Sequence, residues 1–276
     1  MTFRTYYRPT DLLTPSTEGH EGKIGNLSWV YRLAQKDRRI IWHDRQAGTK
    51  DLSNRTLKKH LPITTLFIDV GGVLLTNGWD HLERRRAARH FGLSWAEMDQ
   101  RHRLVFETHE EGKLSFEEYL EWVVFYTKRP FTRNQFRDFM FAQSKPFPKM
   151  LGLVAELKLK HGLKVVVVSN ESREVNAYRI HTFKLDQLVD TFVSSCFVGM
   201  RKPDVQIFRL ALDLAQTIPA RALFIDNTEM FVQIGERIGM QGILHTDYAS
   251  TRAKLTSLGL QTNDATQPYP AALKEL

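Results

Sequence analysis

The sequence predicts an α/β protein: a parallel sheet between two layers of helices, with a helical segment inserted into the chain. Three observations predict it. A buried strand precedes residue 69, a helix-rich segment follows it, and helices alternate with strands from about residue 149 onward. Parallel strands need long crossovers, usually helices, so this alternation is typical of a Rossmann-like three-layer core.

The first part of the chain, residues 1–62, is a leading segment of uncertain structure. Apolar residues alternate over 27–33 and recur at 40–42, which predicts a short hairpin, although a single helical turn fits nearly as well. This segment carries 12 Lys and Arg against 6 Asp and Glu, most of the chain's net charge of +8. Acids interrupt its basic clusters, so the charge indicates solvated surface, and no nucleic-acid binding is expected.

The second and third parts are a buried strand ending in a glycine pair, within 63–79, and a segment rich in helix formers at 80–148. Ser115 and Glu118 form a predicted capping box, and apolar residues then recur at helical spacing. The segment at 80–148 is therefore a predicted helical insert.

The fourth part, residues 149–276, completes the predicted core together with 63–79. Its periodicity predicts four helices and four strands in alternation. The helices are predicted at 149–160, 172–182, 204–216 and 229–238, and the strands at 164–168, 191–195, 221–225 and 242–245.

Composition narrows the function classes. A chain of 276 residues with 42% hydrophobic content can bury a substantial core, and its single cysteine, Cys196, excludes an intramolecular disulfide. The first residues lack the apolar core of a signal peptide, and no apolar run approaches the ~20 residues that cross a bilayer. We therefore expect a cytoplasmic protein without membrane partners; the sequence does not indicate an oligomeric state.

Polar residues follow three of the predicted strands. They are Asp69, Ser169 with Asn170, and Asp226, while Lys202 stands before a proline as at a helix start. Each has an ordinary alternative, because Asp and Ser often cap the next helix and lysines are usually solvated. In a doubly wound sheet, however, ligands bind at the carboxyl ends of the strands.

Together these residues supply what phosphoryl transfer requires. One carboxylate can act as a nucleophile, and a second can share a divalent cation with it. A hydroxyl and a lysine can balance the charge of a phosphoryl group. Mg²⁺ prefers oxygen ligands and keeps several waters, so two carboxylates and a backbone carbonyl would suffice.

In this order, Asp69-Val70-Gly71-Gly72-Val73-Leu74, Ser169-Asn170, Lys202-Pro203 and Asp226-Asn227 resemble the motifs of the haloacid dehalogenase superfamily of hydrolases. The resemblance covers roughly residues 64–260, and it implies that the helical insert is a mobile cap. It also implies a Mg²⁺-dependent phosphatase acting on a small phosphorylated metabolite. The implied roles are an aspartyl-phosphate on Asp69, Mg²⁺ binding by Asp69, the Gly71 carbonyl and Asp226, phosphoryl binding by Ser169 and Lys202, and substrate or phosphate orientation by Asn170.

The sequence departs from that family's phosphatases at two positions. Gly71 stands where a second Asp usually acts as acid and base, and Asn227 stands where many relatives have another acid, a change for which Glu229 is a candidate compensation. Acid–base catalysis is commonly worth ~10² to 10⁴-fold, so we expect reduced or differently supplied activity. Possible substitutes, whose ordinary role is as exposed helix-end charges, are Glu107, His109, Glu110 and Glu111.

Other functions remain open at this point. A binding or scaffold protein that lost the chemistry is one alternative, since fold does not secure function. A 2-haloacid dehalogenase is disfavoured by Asp226 and a phosphomutase by Gly71. Six aromatic residues of the insert could form its own core or line a pocket: Trp95, Phe106, Tyr119, Trp122, Phe125 and Tyr126. Its two basic clusters could form an outer helix face or an anion site: Arg84-Arg85-Arg86 and His102-Arg103.

Overall fold

The fold is a five-stranded parallel sheet with helices on both faces. The structure is a computed structural model, and it describes residues 61–262. The strand order is β3-β2-β1-β4-β5, with every neighbouring pair parallel. The strands are β1 (Thr65–Ile68), β2 (Lys164–Ser169), β3 (Thr191–Ser194), β4 (Ala222–Asp226) and β5 (Gln241–Leu244).

Ten α-helices lie in the described range. Four of them fall between β1 and β2 as the helical insert: α1 (His81–His90), α2 (Trp95–Glu110), α3 (Phe116–Val123) and α4 (Arg133–Phe141). The others are α5 (Pro148–His161), α6 (Arg173–Thr182), α7 (Ser195–Val198), α8 (Val205–Ala215), α9 (Glu229–Arg237) and α10 (Tyr248–Ser257).

The sheet is buried on both faces because its strands are apolar on both faces. Leu66 and Ile68 of β1 point into a cluster that includes α5 and α10, whereas Phe67 points into a second cluster that includes α8. Successive side chains of a strand face opposite sides, and all-parallel sheets are covered on both. The predicted three-layer α/β class is confirmed.

The helical insert has an apolar core of its own, built from α1 to α4 around residues such as Tyr119 and Phe136. The predicted capping box at the start of α3 is present: Ser115 and Glu118 each bond to the other's backbone N–H. No helix in the described range is long and apolar enough to span a bilayer.

The eight elements predicted after residue 149 are all present, each within one residue of its predicted ends. The final helix, α10, was not predicted, because it buries only Thr251 and Leu255 and its sequence has a weak amphipathic pattern. The hairpin predicted near residues 27–42 lies outside the described residues. The division into a core and a mobile cap stays a prediction.

Candidate active site

The site begins with two carboxylates on adjacent strands. The register pairs Ile68 of β1 with Ile225 of β4, so the next residues, Asp69 and Asp226, lie side by side at the carboxyl end of the sheet. The Asp69 N–H donates to the Ile225 carbonyl at 3.0 Å, which extends the strand pairing up to the carboxylate. Asp226 is fully buried and Asp69 nearly so.

Lys202 joins the two carboxylates. Its Nζ lies 3.0 Å from Asp69 Oδ1 and 2.6 Å from Asp226 Oδ2, and the lysine is 1% exposed. Burial alone would lower the pKa of Lys202, but the two carboxylates outweigh it and raise that pKa. Burial, and next the charge of Asp69, raise the pKa of Asp226 to about 6, although Lys202 acts in the opposite direction. Two carboxylates therefore share one ammonium group.

Asn170 fixes the Lys202 backbone. The Lys202 N–H donates to Asn170 Oδ1 at 2.8 Å, and Asn170 Nδ2 donates to the Lys202 carbonyl at 2.9 Å. A cis Lys202–Pro203 bond follows Lys202, and α8 begins at Val205, within one residue of its predicted start, with Asp204 as its N-cap. Lys202 is thereby free of the helix and reaches the carboxylates.

Ser169 ends β2 beside the carboxylates, and a buried ion pair adjoins it. Ser169 Oγ donates to Glu171 Oε1 at 3.3 Å, and Arg179 of α6 donates to the same oxygen at 2.6 Å. Burial raises the pKa of Glu171, as does the nearby charge of Asp69, whereas Arg179 lowers it. A second carboxylate–cation pair thus lies against the first.

Arg179 also fixes both connections between the sheet and the helical insert. It donates to the Asn77 carbonyl at 2.6 Å on the outgoing chain and to Ser144 Oγ at 3.0 Å on the returning chain. The two chains pair with each other, since the Thr76 N–H donates to the Lys145 carbonyl at 2.8 Å. The guanidinium is 2% exposed.

The turn after Asp69 depends on its glycines. Gly72 has φ +76°, and a Cβ there would lie 2.0 Å from Asn227 Nδ2, so no larger residue fits. At Gly71 a Cβ would meet Asn77 Oδ1 at 3.4 Å, an ordinary contact. The backbone at position 71 therefore has room for a Cβ, unlike that at Gly72.

The four candidate substitutes for the missing acid separate into two pairs. His109 and Glu110 line the cleft above the strand ends, whereas Glu107 and Glu111 do not. Glu110 accepts from Arg201 at 2.9 Å, and burial raises its pKa while Arg201 lowers it. Glu229 is exposed and does not line the cleft.

The wall of the cleft formed by the helical insert centres on Tyr119. Its hydroxyl accepts from Trp79 Nε1 at 2.8 Å and lies 2.9 Å from His102 Nδ1. The His109 ring stacks on the Tyr119 ring at 4.3 Å, and its Nδ1 lies 3.1 Å from the Leu114 carbonyl. Burial lowers the pKa of His102 to about 3 and also lowers that of His109, so both rings are neutral.

One cleft of about 480 Å³ unites these groups. Of the six aromatic residues of the insert, Phe106 and Tyr119 line it and the other four do not. Among the basic residues, Arg84, His102 and Arg103 line it, but Arg85 and Arg86 do not. The predicted site residues Asp69, Gly71, Ser169, Asn170 and Lys202 all line it, and Asp226 lies directly behind Lys202.

Sequence reasoning missed Glu171 and Arg179. Glu171 stands two residues after Ser169 in the same loop, so its position after a strand was a usable signal. Arg179 lies within α6 with no motif around it, and its role depends on two distant segments that only folding brings together. Tyr119 and His102 were named, but their hydrogen bond joins different helices and leaves no local pattern.

Comparison with known proteins gives a family. A family model described as haloacid dehalogenase-like hydrolase matches residues 63–239. Rat bifunctional epoxide hydrolase 2 is 32% identical over 143 residues, 50% of this chain and 25% of that protein. A sesquiterpene phosphatase of Aspergillus oryzae is 30% identical over 115 residues, 41% of this chain and 58% of that protein. The chain thus spans less than two thirds of these relatives.

Solved structures agree on the fold. A HAD family enzyme from Bacteroides thetaiotaomicron, solved in complex with magnesium and inorganic phosphate, superposes with a TM-score of 0.57 at 21% identity. The match covers 66% of this chain and 93% of that one. A predicted HAD-like hydrolase from Porphyromonas gingivalis gives a TM-score of 0.58 at 20% identity, covering 74% of this chain and 100% of that one.

Proposed function

Because this chain belongs to the haloacid dehalogenase-like hydrolase family, we propose that it is a Mg²⁺-dependent phosphatase of small phosphomonoesters. One observation carries the proposal: Lys202 Nζ lies between the buried carboxylates of Asp69 and Asp226 at the carboxyl end of the sheet. A nucleophile, a second anion and a fixed cation meet there, as phosphoryl transfer requires. The sesquiterpene phosphatase among the relatives supports the same reaction class.

The donor set fits Mg²⁺. Two carboxylates and one ammonium group leave one net negative charge in a buried site, and burial, followed by the charge of Asp69, raises the pKa of Asp226. Within residues 61–262 no three His, Cys, Asp or Glu side chains are grouped so that they alone could hold a metal. An ion here would need backbone and water oxygens as well, and we propose that Asp69, the Gly71 carbonyl and Asp226 hold it together with waters. The bound ion would neutralise charge on the phosphoryl oxygens.

The reaction follows from the position of Asp69. Its carboxylate oxygen attacks phosphorus, the bond to the leaving oxygen breaks, and the leaving alkoxide takes up a proton from a water molecule of the solvent. Water then attacks the phosphorus of the aspartyl-phosphate, which releases inorganic phosphate and restores the carboxylate. Lys202 and Ser169 stabilise the phosphoryl oxygens, while Asn170 holds the Lys202 backbone in place.

Leaving-group protonation is the step for which this chain is least equipped, because Gly71 has no side chain. We propose that turnover is slow for alcohols of high pKa and faster for leaving groups that depart as stable anions. The helical insert, positioned over the strand ends, would act as the cap that selects the substrate.

The test is hydrolysis of p-nitrophenyl phosphate with and without Mg²⁺, beside the variant Asp69→Asn. We expect Mg²⁺-dependent release of phosphate by the natural chain and a loss of at least ~10³-fold in the variant. Equal rates in both proteins would overturn the proposal and favour a scaffold role. Chloride release from 2-chloropropionate without phosphatase activity would instead indicate a dehalogenase.

A further inference from the structure

A second cavity, of about 540 Å³, lies on the helical insert and shares no lining residue with the cleft. One face of α1 and the residues around the start of α2 form it. Four residues of α1, spaced i, i+3, i+4 and i+7 and therefore on one helix face, line it: Leu82, Arg85, Arg86 and Arg89. The proposed phosphoryl transfer uses none of them.

The arginines of this cavity carry positive charge that acids do not balance. Arg85 and Arg89 are exposed, and no residue within 61–262 forms an ion pair or a hydrogen bond with either. Arg86 pairs with Glu83 at 3.4 Å. Burial raises the pKa of Glu83 to about 7, so at pH 8 this carboxylate is ionised and balances Arg86. Two guanidinium groups remain uncompensated, because none of the described residues that line the cavity is acidic.

The cavity also has an apolar part. Leu82 is 51% exposed, and Leu93 and Trp95 also line the cavity. The Arg85 guanidinium lies over the Trp95 ring, 5.0 Å from its centroid. A guanidinium stacked on an indole keeps the N–H donors at its edge free, where a phosphate can accept two of them. The ring contact therefore prepares Arg85 to bind an anion.

We propose that this cavity is a binding site, separate from the active site, for a phosphate monoester with an apolar body. A phosphate monoester carries about −1.5 to −2 charges at pH 7, which matches two uncompensated guanidinium groups, whereas a carboxylate or a sulfate ester carries one. The apolar body lies against Leu82 and Leu93. A concave cavity of this volume suits a small ligand better than a membrane surface.

The inference does not depend on the proposed phosphatase function, because the two cavities have no residue in common. The experiment measures binding of hexyl phosphate to the full chain by calorimetry at pH 8, with EDTA present to prevent Mg²⁺-dependent hydrolysis. Hexyl sulfate has the same alkyl chain with one charge fewer, and methyl phosphate has the dianion without the apolar body. We expect hexyl phosphate to bind about tenfold or more tightly than either. Equal affinity for hexyl phosphate and either comparison ligand would overturn the inference.

Substitutions on α1 test the arginines. Arg85→Gln and Arg89→Gln should each weaken binding of hexyl phosphate about tenfold or more, since each removes a charged hydrogen-bond donor. Both side chains are exposed, so both variants should fold. Arg209→Gln, on the exposed side of α8, is the matched control and should keep the full affinity. Unchanged affinity in the two α1 variants, or an equal loss in the control, would contradict the proposed site.

Two indole N–H signals locate the ligand, because Trp95 lines this cavity and Trp79 lines the cleft. In ¹H–¹⁵N NMR spectra, hexyl phosphate should move the Trp95 signal, assigned with Trp95→Phe, and Arg89→Gln should abolish that movement. Movement of the Trp79 signal alone would place the ligand in the cleft and sink the inference. Binding to phosphatidylserine vesicles without a response of Trp95 to hexyl phosphate would indicate a membrane surface instead, with the same consequence. Hydrolysis of p-nitrophenyl phosphate, measured separately, tests only the proposed function.

Discussion

At the scale of single residues, position 71 differs from the family's phosphatases in having no side chain. A Cβ there would make an ordinary contact, 3.4 Å from Asn77 Oδ1. Under the proposed function, the glycine leaves the chain without a carboxyl group at the position that usually protonates the leaving group. Its neighbour Gly72 differs, since its positive φ and the close Asn227 side chain exclude any substitution.

Introducing the missing carboxyl should raise activity on poor leaving groups. We expect Gly71→Asp to increase kcat for propyl phosphate by about tenfold or more, because a general acid assists departure of an alkoxide. The rate for p-nitrophenyl phosphate, whose leaving group needs no proton, should change much less. Steady-state kinetics on both esters provide the measurement, with Gly71→Ala as the control. Equal gains on the two esters would contradict the explanation.

Removing the ammonium group of Lys202 should lower the free energy of unfolding. Lys202→Met leaves Asp69 and Asp226 buried side by side without their ammonium partner. The loss of a partner from a buried ion pair costs about 3 to 5 kcal/mol, so the free energy of unfolding in urea should fall by that order. The exposed Lys160→Met is the control and should change it by less than about 0.5 kcal/mol. A small loss at position 202 would contradict the tight pairing.

The sequence indicated the residues at the strand ends of this site and missed the residues that hold them in place. Asp69, Ser169 and Asp226 were found because each follows an apolar strand, and the register brings their strand ends together. The exposed alternative for Lys202 is excluded, since its side chain is 1% exposed. Hydrogen-bond partners from distant segments, such as Arg179 with Asn77, depend on packing and are invisible in the local pattern.

At the scale of elements, α6 acts as the anchor of the helical insert. Through Arg179 it holds the chain where it leaves the core and where it returns, and it pairs with Glu171 close to Asp69. One side chain therefore links the helical insert to the candidate active site.

Removing the Arg179 guanidinium should destabilise the folded protein. Arg179→Met leaves Glu171 buried without its cation and frees the Asn77 carbonyl and the Ser144 hydroxyl. We expect a loss of about 3 to 5 kcal/mol in the free energy of unfolding, measured by urea denaturation. Arg209→Met, on the exposed side of α8, is the matched control. Equal midpoints for the two variants would show that the pair contributes nothing to stability.

Elements whose apolar residues recur at regular helical or strand spacing were predictable, and elements without such regular spacing were not. Helix α8 has one buried and one exposed face, and its predicted ends were right to one residue. Helix α10 packs through few apolar side chains and went unpredicted for that reason. Pro203, often the first residue of a helix, here follows a cis bond and lies outside α8, which begins at Val205.

At the scale of the whole molecule, the half-buried His102 of the helical insert makes stability depend on pH. The folded pKa of His102, about 3, lies below its ordinary value of 6.5. As pH falls through 6.5 the unfolded chain binds the proton first, so stability is present above that pH and is lost between about 6.5 and 3. The ionisable groups that act on this ring are Arg84, Asp99, His109 and Arg103.

We therefore expect His102→Gln to lose less stability in acid than the natural chain. The difference between the two free energies of unfolding should narrow by about 1 kcal/mol for each pH unit below 6. Urea denaturation at pH 7, 6 and 5 gives the curve, with His90→Gln as the control. Parallel pH dependences of natural chain and His102→Gln would mean that the ring titrates normally.

The pairing of Thr76 with Lys145 has a consequence for how such a protein changes over time. The chain leaves the core at Thr76 and returns to it at Lys145, and these two residues are hydrogen-bonded neighbours. The helical insert between them is therefore not needed to connect the strands of the sheet. Insertions of this kind are tolerated because their ends already lie together. Exchange of the helical insert for another segment would therefore change one wall of the cleft and leave the strand ends as they are.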